Sequence, residues 1–267
     1  GNVVTTGRFC PLLPVEMPWS TYLLMFFAGF SAGFVDAIAG GGGLITVPSL
    51  LWTGLPPQVA IATNRFQSSF GTAIATWSYH RAGLMQVREL GLGIACTAVG
   101  AVLGAVALAH GNPAFLKRII PWLLVSIVVV VWLKPDLGHE ARPARVGRRA
   151  FAVTAGLALG FYDGFFGPGT GTFWAMACVW LLGLDLRAAT GHTKVMNLTS
   201  NLASIVIYLC AGLVRFDLGL VMAAGQLIGG RLGSGLVIRR GARLIRPVFL
   251  TVSLLLTTKL LWDQWKR

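Results

Sequence analysis

The stretch Gly33-Phe-Val-Asp36-Ala-Ile-Ala-Gly40-Gly-Gly-Gly43 interrupts an otherwise apolar run near the beginning of the chain. A near copy follows in the second half of the chain, Gly160-Phe-Tyr-Asp163-Gly-Phe-Phe-Gly167-Pro-Gly-Thr-Gly171. In both copies, Gly-Phe-x-Asp is followed four residues later by a glycine-rich turn. This repetition predicts that the chain is a duplicated half.

Two more pairs of short motifs support the duplication. Ala82-Gly-Leu-Met-Gln matches Ala211-Gly-Leu-Val-Arg, and Gly100-x-x-x-Gly104 matches Gly229-x-x-x-Gly233. Both second copies follow their first copies at one common offset, which is nearly that of the two aspartates. Interrupted apolar segments at matching positions of two halves are the best indication in a sequence of a transporter's binding site.

The composition predicts a protein that crosses the bilayer many times. Of the 267 residues, 55% are hydrophobic and only 12% are charged, whereas soluble domains carry about 25% charged residues. Apolar runs of the length that spans a bilayer recur along the chain. The first of them starts at Trp19 and contains the repeated motif, so we assign it to the fold rather than to a signal peptide.

The formal net charge of +13 would suggest a nucleic-acid partner in a soluble protein. Here most lysines and arginines lie in loops between apolar runs, which is the pattern of cytoplasmic loops, and we predict no nucleic-acid partner. The cysteines show neither a CxxC motif nor metal-ligand spacing, so we predict no disulfide framework, no metal site and no cofactor. They are Cys10, Cys96, Cys178 and Cys210.

We predict an all-α membrane protein of about ten segments, five in each of two repeats, with short or broken helices at the glycine turns. The first repeat covers 19–133, the second 150–263, a basic linker covers 134–149, and tails cover 1–18 and 264–267. The predicted segments are 19–39, 44–52, 58–79, 90–109, 119–133, 150–166, 172–182, 188–210, 218–238 and 247–262.

The relation between the halves depends on whether the short pieces 44–52 and 172–182 cross the membrane. The first spans about 14 Å as a helix, roughly half of the hydrocarbon core. If such pieces are return passes, the halves are inverted, and the basic loops 134–149 and 239–246 both face the cytoplasm. If the short pieces are re-entrant and leave the membrane on the side from which they entered, the halves are parallel and the two loops lie on opposite sides. The positive-inside rule favours the inverted arrangement, with both termini outside.

Two pairs of charged residues at equivalent positions of the halves lie within or at the start of apolar segments, where such residues are functional candidates. Asp36 and Asp163 are equivalent; each either accepts a proton during transport or ties down backbone N–H groups of the following glycine turn. Arg65 and Lys194 are related by the same offset as the spaced glycines, and each comes just after a short broken piece. We expect both cations to converge on an anion near the bilayer midplane. The alternative for Lys194 is snorkelling to the interface.

The glycine turns and neighbouring polar residues complete the expected anion site. Unwound backbone inside a membrane must lie within protein or around a cavity, and its N–H groups suit an anion. Close helix packing is the alternative, and we prefer it for the glycines at 100, 104, 229 and 233. Arg231 either lines the path or pairs with an aspartate. The expected substrate-binding residues are Gly40, Gly41, Gly42, Gly43, Asn64, Arg65, Gln67, Gly167, Gly169, Gly171, His192, Thr193, Lys194 and Asn197.

These motifs resemble those of the TauE/SafE family, the sulfite exporter or toluene-sulfonate-uptake-type permeases. The resemblance rests on the glycine motifs above, on Pro48 and Ala60-Ile-Ala-Thr-Asn-Arg65, and on Thr193-Lys-x-x-Asn197, and it covers nearly all of 20–263. It implies movement of a small sulfur-containing anion or organic acid across the bacterial inner membrane, with both termini then periplasmic. The family often has a further glycine where this chain has Thr170, which bears on the shape of the second turn.

The leading functional hypothesis is a secondary transporter that moves a small anion by alternating access, with Asp36 or Asp163 as the candidate for proton coupling. An anion channel would use the same cations but would tolerate loss of the two aspartates. An integral-membrane enzyme is least favoured, since no convergent nucleophile and base or metal cluster is present in the sequence. The absence of a P-loop argues against direct drive by ATP. The expected partners are the anion and the bilayer; the anion's identity, the direction, the coupling ion and the oligomeric state stay open.

Overall fold

The computed structural model describes residues 17–84, 90–116, 118–119, 122 and 143–240. Within these ranges the chain is helical and contains no strand. The main helices are α1 (Trp19–Ala39), α2 (Gly43–Trp52), α3 (Pro57–Arg81), α4 (Gly91–Ala109), α5 (Arg148–Phe165), α6 (Thr170–Leu181), α7 (Leu186–Cys210) and α8 (Phe216–Arg240). The all-α prediction is confirmed for this part of the chain.

The helix ends follow local sequence chemistry. The α1 helix stops at Gly40, whose φ of 78° is readily adopted only by glycine. Pro57 occupies the first turn of α3, where its missing N–H costs nothing. Asp185 caps α7, because its side chain accepts hydrogen bonds from the backbone N–H groups of Arg187 and Ala188. These breaks produce two short helices, α2 and α6, next to the two glycine turns.

The predicted segment boundaries agree with the described helices to within two residues, as two of the helices illustrate. The short piece predicted at 172–182 is helical from Thr170 to Leu181. The α5 helix begins at Arg148, inside the predicted linker, because the extended Gly147 already ends the preceding loop. The predicted spans 119–133 and 247–262 lie almost entirely outside the described residues, as does the basic loop 239–246 beyond its first two residues.

Among the described helices, α1, α4 and α8 are long and apolar enough to cross a membrane. Each presents large apolar side chains outward, for example Leu23, Leu103 and Leu220, which are 60%, 55% and 56% exposed. Apolar side chains at such positions are stable in contact with lipid chains. The α3 and α7 helices, 25 residues each, are as long but carry buried polar residues, so their sequences are less apolar. The chain is a helical membrane protein.

The helices of the two predicted halves exchange partners. The α1 helix packs along α8, and α4 packs along α5. Glycines allow this close approach: a Cβ on Gly33 would lie 2.7 Å from the Gln226 carbonyl oxygen, and one on Gly100 would lie 2.8 Å from the Phe161 nitrogen. Gly104, Gly229 and Gly233 likewise face the backbone of the partner helix. These spaced glycines therefore serve helix packing, as their four-residue spacing indicates.

Candidate functional site

Arg65 on α3 forms an ion pair with Asp163 at the end of α5. Its Nη1 lies 2.6 Å from Asp163 Oδ1 and donates a hydrogen bond to Asn201 Oδ1 at 2.8 Å, while its Nη2 donates to the Asp163 backbone carbonyl. Ser200 Oγ donates to the other carboxylate oxygen of Asp163. The arginine and aspartate side chains are 4% and 2% exposed. Such burial is tolerated because each charge has its partner and further hydrogen bonds.

Lys194 on α7 forms the equivalent pair with Asp36 on α1. Its Nζ lies 2.9 Å from Asp36 Oδ2 and also donates to the Asp36 backbone carbonyl. Asp36 Oδ1 accepts a hydrogen bond of 3.2 Å from the Gly42 backbone N–H. Asp36 therefore ties down the glycine turn, one of the two roles predicted for it. Lys194 is fully buried and does not snorkel, which excludes that alternative.

The two ion pairs have the same design, and each crosses between the predicted halves. A cation of the first half holds the aspartate of the second half, and a cation of the second half holds the aspartate of the first. In both, the cation contacts the carboxylate and the main-chain carbonyl of one aspartate. They differ in access to solvent, because the Asp36 side chain is 18% exposed and that of Asp163 only 2%.

The two glycine turns touch each other between the ion pairs. A Cβ on Gly40 would lie 2.7 Å from the carbonyl carbon of Gly171, so only two glycines allow these backbones to meet. The Arg65 guanidinium fills the space in which a Cβ on Gly167 would lie. Gly43 lies against Pro168, and Gly169 precedes α6 with a φ of 80°. The repeat in the sequence predicts that both turns belong to one interior site, and here the turns do touch.

Tyr79 and Tyr208 belong to the same cluster but were missed by the sequence analysis. Tyr79 OH donates a hydrogen bond of 2.9 Å to the Ala37 carbonyl, and Tyr208 OH donates to the Gly164 carbonyl. Both accepting carbonyls lie one residue after the paired aspartates, near the ends of α1 and α5. The two tyrosines are related by the same offset as Arg65 and Lys194, so a systematic comparison at that offset would have found them.

Other predicted polar residues surround the turns, and several keep unused hydrogen-bonding atoms. Asn64 Oδ1 accepts hydrogen bonds from Thr46 Oγ1 and from Gln67 Nε2, the latter at 2.8 Å. Asn197 lies against Gly171, with its Nδ2 3.0 Å from where a Cβ there would lie. Four buried polar atoms near the turns have no hydrogen-bond partner among the described residues: Arg65 Nε, Gln67 Oε1, Thr172 Oγ1 and Asn197 Oδ1.

Three predicted residues lie elsewhere or act differently. His192 is two residues from Lys194, so it leaves α7 on another face and packs on Phe151 and Trp174, away from the ion pairs; its expected contact with the anion stays a prediction. Thr193 Oγ1 only bonds back to the Ala189 carbonyl of its own helix, at 2.8 Å. Arg231 donates to Ser78 Oγ at 3.3 Å, and the ion pairs of the described residues do not include it.

Comparison with known proteins finds one family model and several relatives that match most of the chain. Residues 25–260 match the family model described as sulfite exporter TauE/SafE. A probable membrane transporter protein of Haemophilus influenzae is 41% identical over 241 residues, which cover 90% of this chain and 94% of the relative. One of Escherichia coli strain K12 is 42% identical over 240 residues, covering 90% and 89%. One of Sinorhizobium is 41% identical over 248 residues, covering 93% and 95%.

No solved structure shows a significant match to the chain. The family match extends over both glycine turns and both ion pairs, and the relatives carry the same general description, that of a membrane transporter. The predicted resemblance is therefore confirmed: the chain belongs to the sulfite exporter TauE/SafE family of membrane transport proteins.

Proposed function

We propose that this protein is a secondary transporter that moves a small anion, such as sulfite, an organosulfonate or a related organic acid, by alternating access. The observation that carries the proposal is the pair of buried ion pairs that cross between the two halves at the touching glycine turns. A buried cation in a membrane protein is energetically costly, so it usually has a charged or polar partner and is usually retained for a function. Here two such cations, each with an aspartate partner, lie beside unwound backbone, the arrangement that transporters use for ion and substrate sites.

The groups that would bind the anion are donors that the protein itself does not use. Arg65 Nε–H and the Thr172 hydroxyl are buried beside the turns without a partner among the described residues. Lys194 would add its charge when Asp36 no longer neutralises it. The glycine turns offer fewer donors than their sequence suggests, because the N–H groups of Gly40, Gly42 and Gly167 already donate within the protein. A small oxyanion accepts several such hydrogen bonds at once. Gln67 and Asn197, with their unused amide oxygens, would contact any O–H or N–H group of the substrate.

Charge balance suggests how a proton would be coupled to the anion. With both aspartates ionised, each cation is already neutralised and attracts an anion weakly. A proton on Asp36 leaves Lys194 with an uncompensated positive charge, so an anion binds more strongly and both move together without net charge. Asp36 is the aspartate that solvent can reach, because its side chain is partly exposed, while Asp163 is buried by Arg65 and Ser200.

We further propose that the halves form an inverted repeat of five segments each; the contacts support a twofold relation between the halves, and the positive-inside rule favours its inverted form. Thr72 and Asn201, which occupy equivalent positions of the two halves, touch each other through a hydrogen bond of 3.2 Å. Equivalent residues contact each other where two copies meet at a twofold axis. Two such halves that exchange helices and ion pairs could rock against each other around the glycine turns. We place this protein in the bacterial inner membrane as a multi-pass chain with both termini periplasmic.

The test is anion flux into proteoliposomes, with sulfite and sulfoacetate as substrates, with and without a proton gradient. We expect flux that increases with an inward proton gradient, and at least about tenfold less flux in Lys194→Gln, which loses a charge-assisted contact. Asp36→Asn should retain flux but lose its dependence on the gradient, while Arg239→Gln, an exposed control, should behave as the wild type.

Two results would contradict the proposal. Flux of either anion that is equal in the wild type and in both Arg65→Gln and Lys194→Gln would remove the cations from the site. Wild-type flux that ignores the proton gradient and also survives Asp36→Asn would instead indicate a channel.

A further inference from the structure

The α8 helix carries a charged residue, Arg231, on its lipid-facing side. It lies within the apolar span Phe216–Arg239, about 12 Å of helix before Arg239. Arg231 is exposed together with its neighbours Ile228 and Leu232, which are 49% and 53% exposed. A charge among lipid-facing apolar side chains is costly unless it reaches the membrane surface or a counter-charge. The buried ion pairs of the core do not account for this residue.

The Arg231 side chain extends along the groove between α3 and α8 toward the ends of both helices. Contacts advance together along the two helices, from Phe66 with Phe216 through Ile74 with Gly230 to Ser78 with Arg231. Arg231 Nη1 donates a hydrogen bond of 3.3 Å to Ser78 Oγ, one turn beyond the residue that its neighbour Gly230 contacts. The guanidinium thus snorkels toward the end that the positive-inside rule assigns to the cytoplasm.

A second arginine stands at the same end of the groove. Arg81 follows Ser78 by about one turn at the end of α3, and its guanidinium carbon lies 6.0 Å from the centre of the Trp77 ring. Arg81 is exposed, and Trp77 is 56% exposed. Exposed tryptophans near the end of a membrane helix mark the level of the lipid headgroups. Two guanidinium groups therefore lie near this level beside an apolar surface.

Neither arginine has a carboxylate partner among the described residues. The four acidic residues in this part of the chain are engaged elsewhere, Asp36 with Lys194, Asp163 with Arg65, Asp217 with Arg215, and Asp185 as the cap of α7. Ser78 is neutral, and its hydroxyl donates its own hydrogen to the Ile74 carbonyl at 2.8 Å. Most N–H donors of the two guanidinium groups are left for an anion from outside the protein.

The cluster is present in one half of the repeat only. At the offset that relates Arg65 to Lys194, the positions of Trp77, Ser78, Arg81 and Arg231 correspond to those of Val206, Ile207, Cys210 and Val102. The repeated core therefore does not need these polar groups. In the inverted arrangement the apolar counterpart lies at the opposite leaflet, so the arginines are confined to the cytoplasmic leaflet, where anionic headgroups attract basic residues.

We propose that the groove between the ends of α3 and α8 binds an anionic phospholipid of the cytoplasmic leaflet, with the lipid phosphate between Arg231 and Arg81. Guanidinium groups bind phosphate oxygens in a bidentate manner, and basic pockets between membrane helices on this side are typical sites for anionic headgroups. An acyl chain would run along the exposed Ile228 and Leu232. Such a lipid would hold α3 against α8 whichever anion the protein transports.

The test is native mass spectrometry of the full-length protein in detergent, with equal concentrations of phosphatidylglycerol and phosphatidylcholine that have the same acyl chains. The two lipids share the phosphate, but choline neutralises its charge. We expect the wild type to bind phosphatidylglycerol at least about tenfold more tightly than phosphatidylcholine. Arg231→Val, which introduces the residue type of the equivalent position, and Arg81→Gln should each reduce this preference about fivefold.

Arg149→Gln is the matched control, because it also removes one exposed arginine but lies at the beginning of α5, which packs along α4. Its lipid preference should equal that of the wild type. Unchanged preference in both Arg231→Val and Arg81→Gln would overturn the proposal, as would equal binding of the two lipids by the wild type. An equal reduction in Arg149→Gln would overturn it too, since the lipid would then respond only to net charge. Anion flux is a separate measurement, so the proposed function can fail while this preference remains.

Discussion

At the scale of single residues, the structure turns two predicted anion-binding cations into members of buried ion pairs. Arg65 and Lys194 are each held by an aspartate from the other half, at 2.6 and 2.9 Å. A buried pair of charges contributes little net stability, but removal of one partner leaves an uncompensated charge in a dry environment. The proposed function treats the ion pairs as a poised arrangement, in which protonation or substrate binding would change the balance between the halves.

This view predicts that Asp163→Asn is strongly destabilising, by about 3–5 kcal/mol, because it leaves the buried Arg65 charge without its counter-charge. The double variant Asp163→Asn/Arg65→Gln should recover much of the loss, since both charges are then gone. Thermal unfolding of the purified protein in one detergent is the measurement. Asp217→Asn, which breaks a more exposed pair with Arg215, is the control and should lower the melting temperature far less. Equal melting temperatures for the two single variants would show that the Asp163 pair is not buried as described.

At the scale of elements, the important feature is how the broken helices end. The carbonyls at the ends of α1 and α5 lose their intrahelical partners at the breaks, and buried tyrosine hydroxyls satisfy the Ala37 and Gly164 carbonyls. The glycine turns themselves are fixed by close backbone contact. The breaks are thus held by specific side chains, which keeps the paired aspartates in position.

Removal of these hydroxyls should loosen the helix ends. Tyr79→Phe and Tyr208→Phe each leave a buried carbonyl without a donor, and we expect a cost of about 1–3 kcal/mol for each. Thermal unfolding checks this expectation. Tyr22→Phe removes a hydroxyl that donates to Asp217 over 3.2 Å in a half-buried place, so its effect should be smaller. Wild-type stability of both core variants would indicate that water replaces the hydroxyls.

The contact between the turns can be tested with two alanine substitutions. Gly40 and Gly54 both have positive φ, 78° and 84°, so both alanine variants are strained, and at Gly40 the ψ of 167° puts the backbone in a region essentially restricted to glycine, so that strain adds to the contact. A Cβ on Gly40 would also meet the Gly171 backbone at 2.7 Å, whereas one on Gly54 would meet nothing within 4 Å. We therefore expect Gly40→Ala to lower both stability and anion flux much more than Gly54→Ala. Similar flux in the two variants would argue against contact between the turns.

At the scale of the whole molecule, the central question is which sides of the membrane the loops face. The inverted arrangement places the loop that precedes α5 in the cytoplasm and the loop that follows α4 outside. Both loops contain an exposed alanine, Ala144 and Ala114. This pair allows a direct comparison, because the same substitution can be made at each.

Single cysteines at these positions, in a variant without the native cysteines, should be labelled from opposite sides. We expect a membrane-impermeant maleimide to label Ala114→Cys in intact cells and Ala144→Cys only in inverted vesicles. The positive-inside bias of the linker is the physical reason. Labelling of both from the same side would contradict the segment predicted at 119–133, and with it five segments in each half; one predicted span separates the two loops in the inverted and in the parallel arrangement alike.

The sequence by itself determined the helical membrane class, the family, the helix boundaries and the meeting of the two glycine turns. These properties depend on local features: apolar length, helix-breaking glycine and proline, and a repeat whose offset is visible in the chain. Even the tyrosines at 79 and 208 could have been predicted from the sequence, since they share the offset of Arg65 and Lys194.

Only the tertiary structure decided what each charge contacts. The crossing of Arg65 to Asp163 and of Lys194 to Asp36, the different exposure of the two aspartates and the packing of His192 on Phe151 and Trp174 all arise from contacts between distant segments. Helix periodicity places side chains around an axis but does not say which neighbouring helix faces them. In a buried environment that choice decides whether a cation is available to a substrate or already neutralised by a carboxylate.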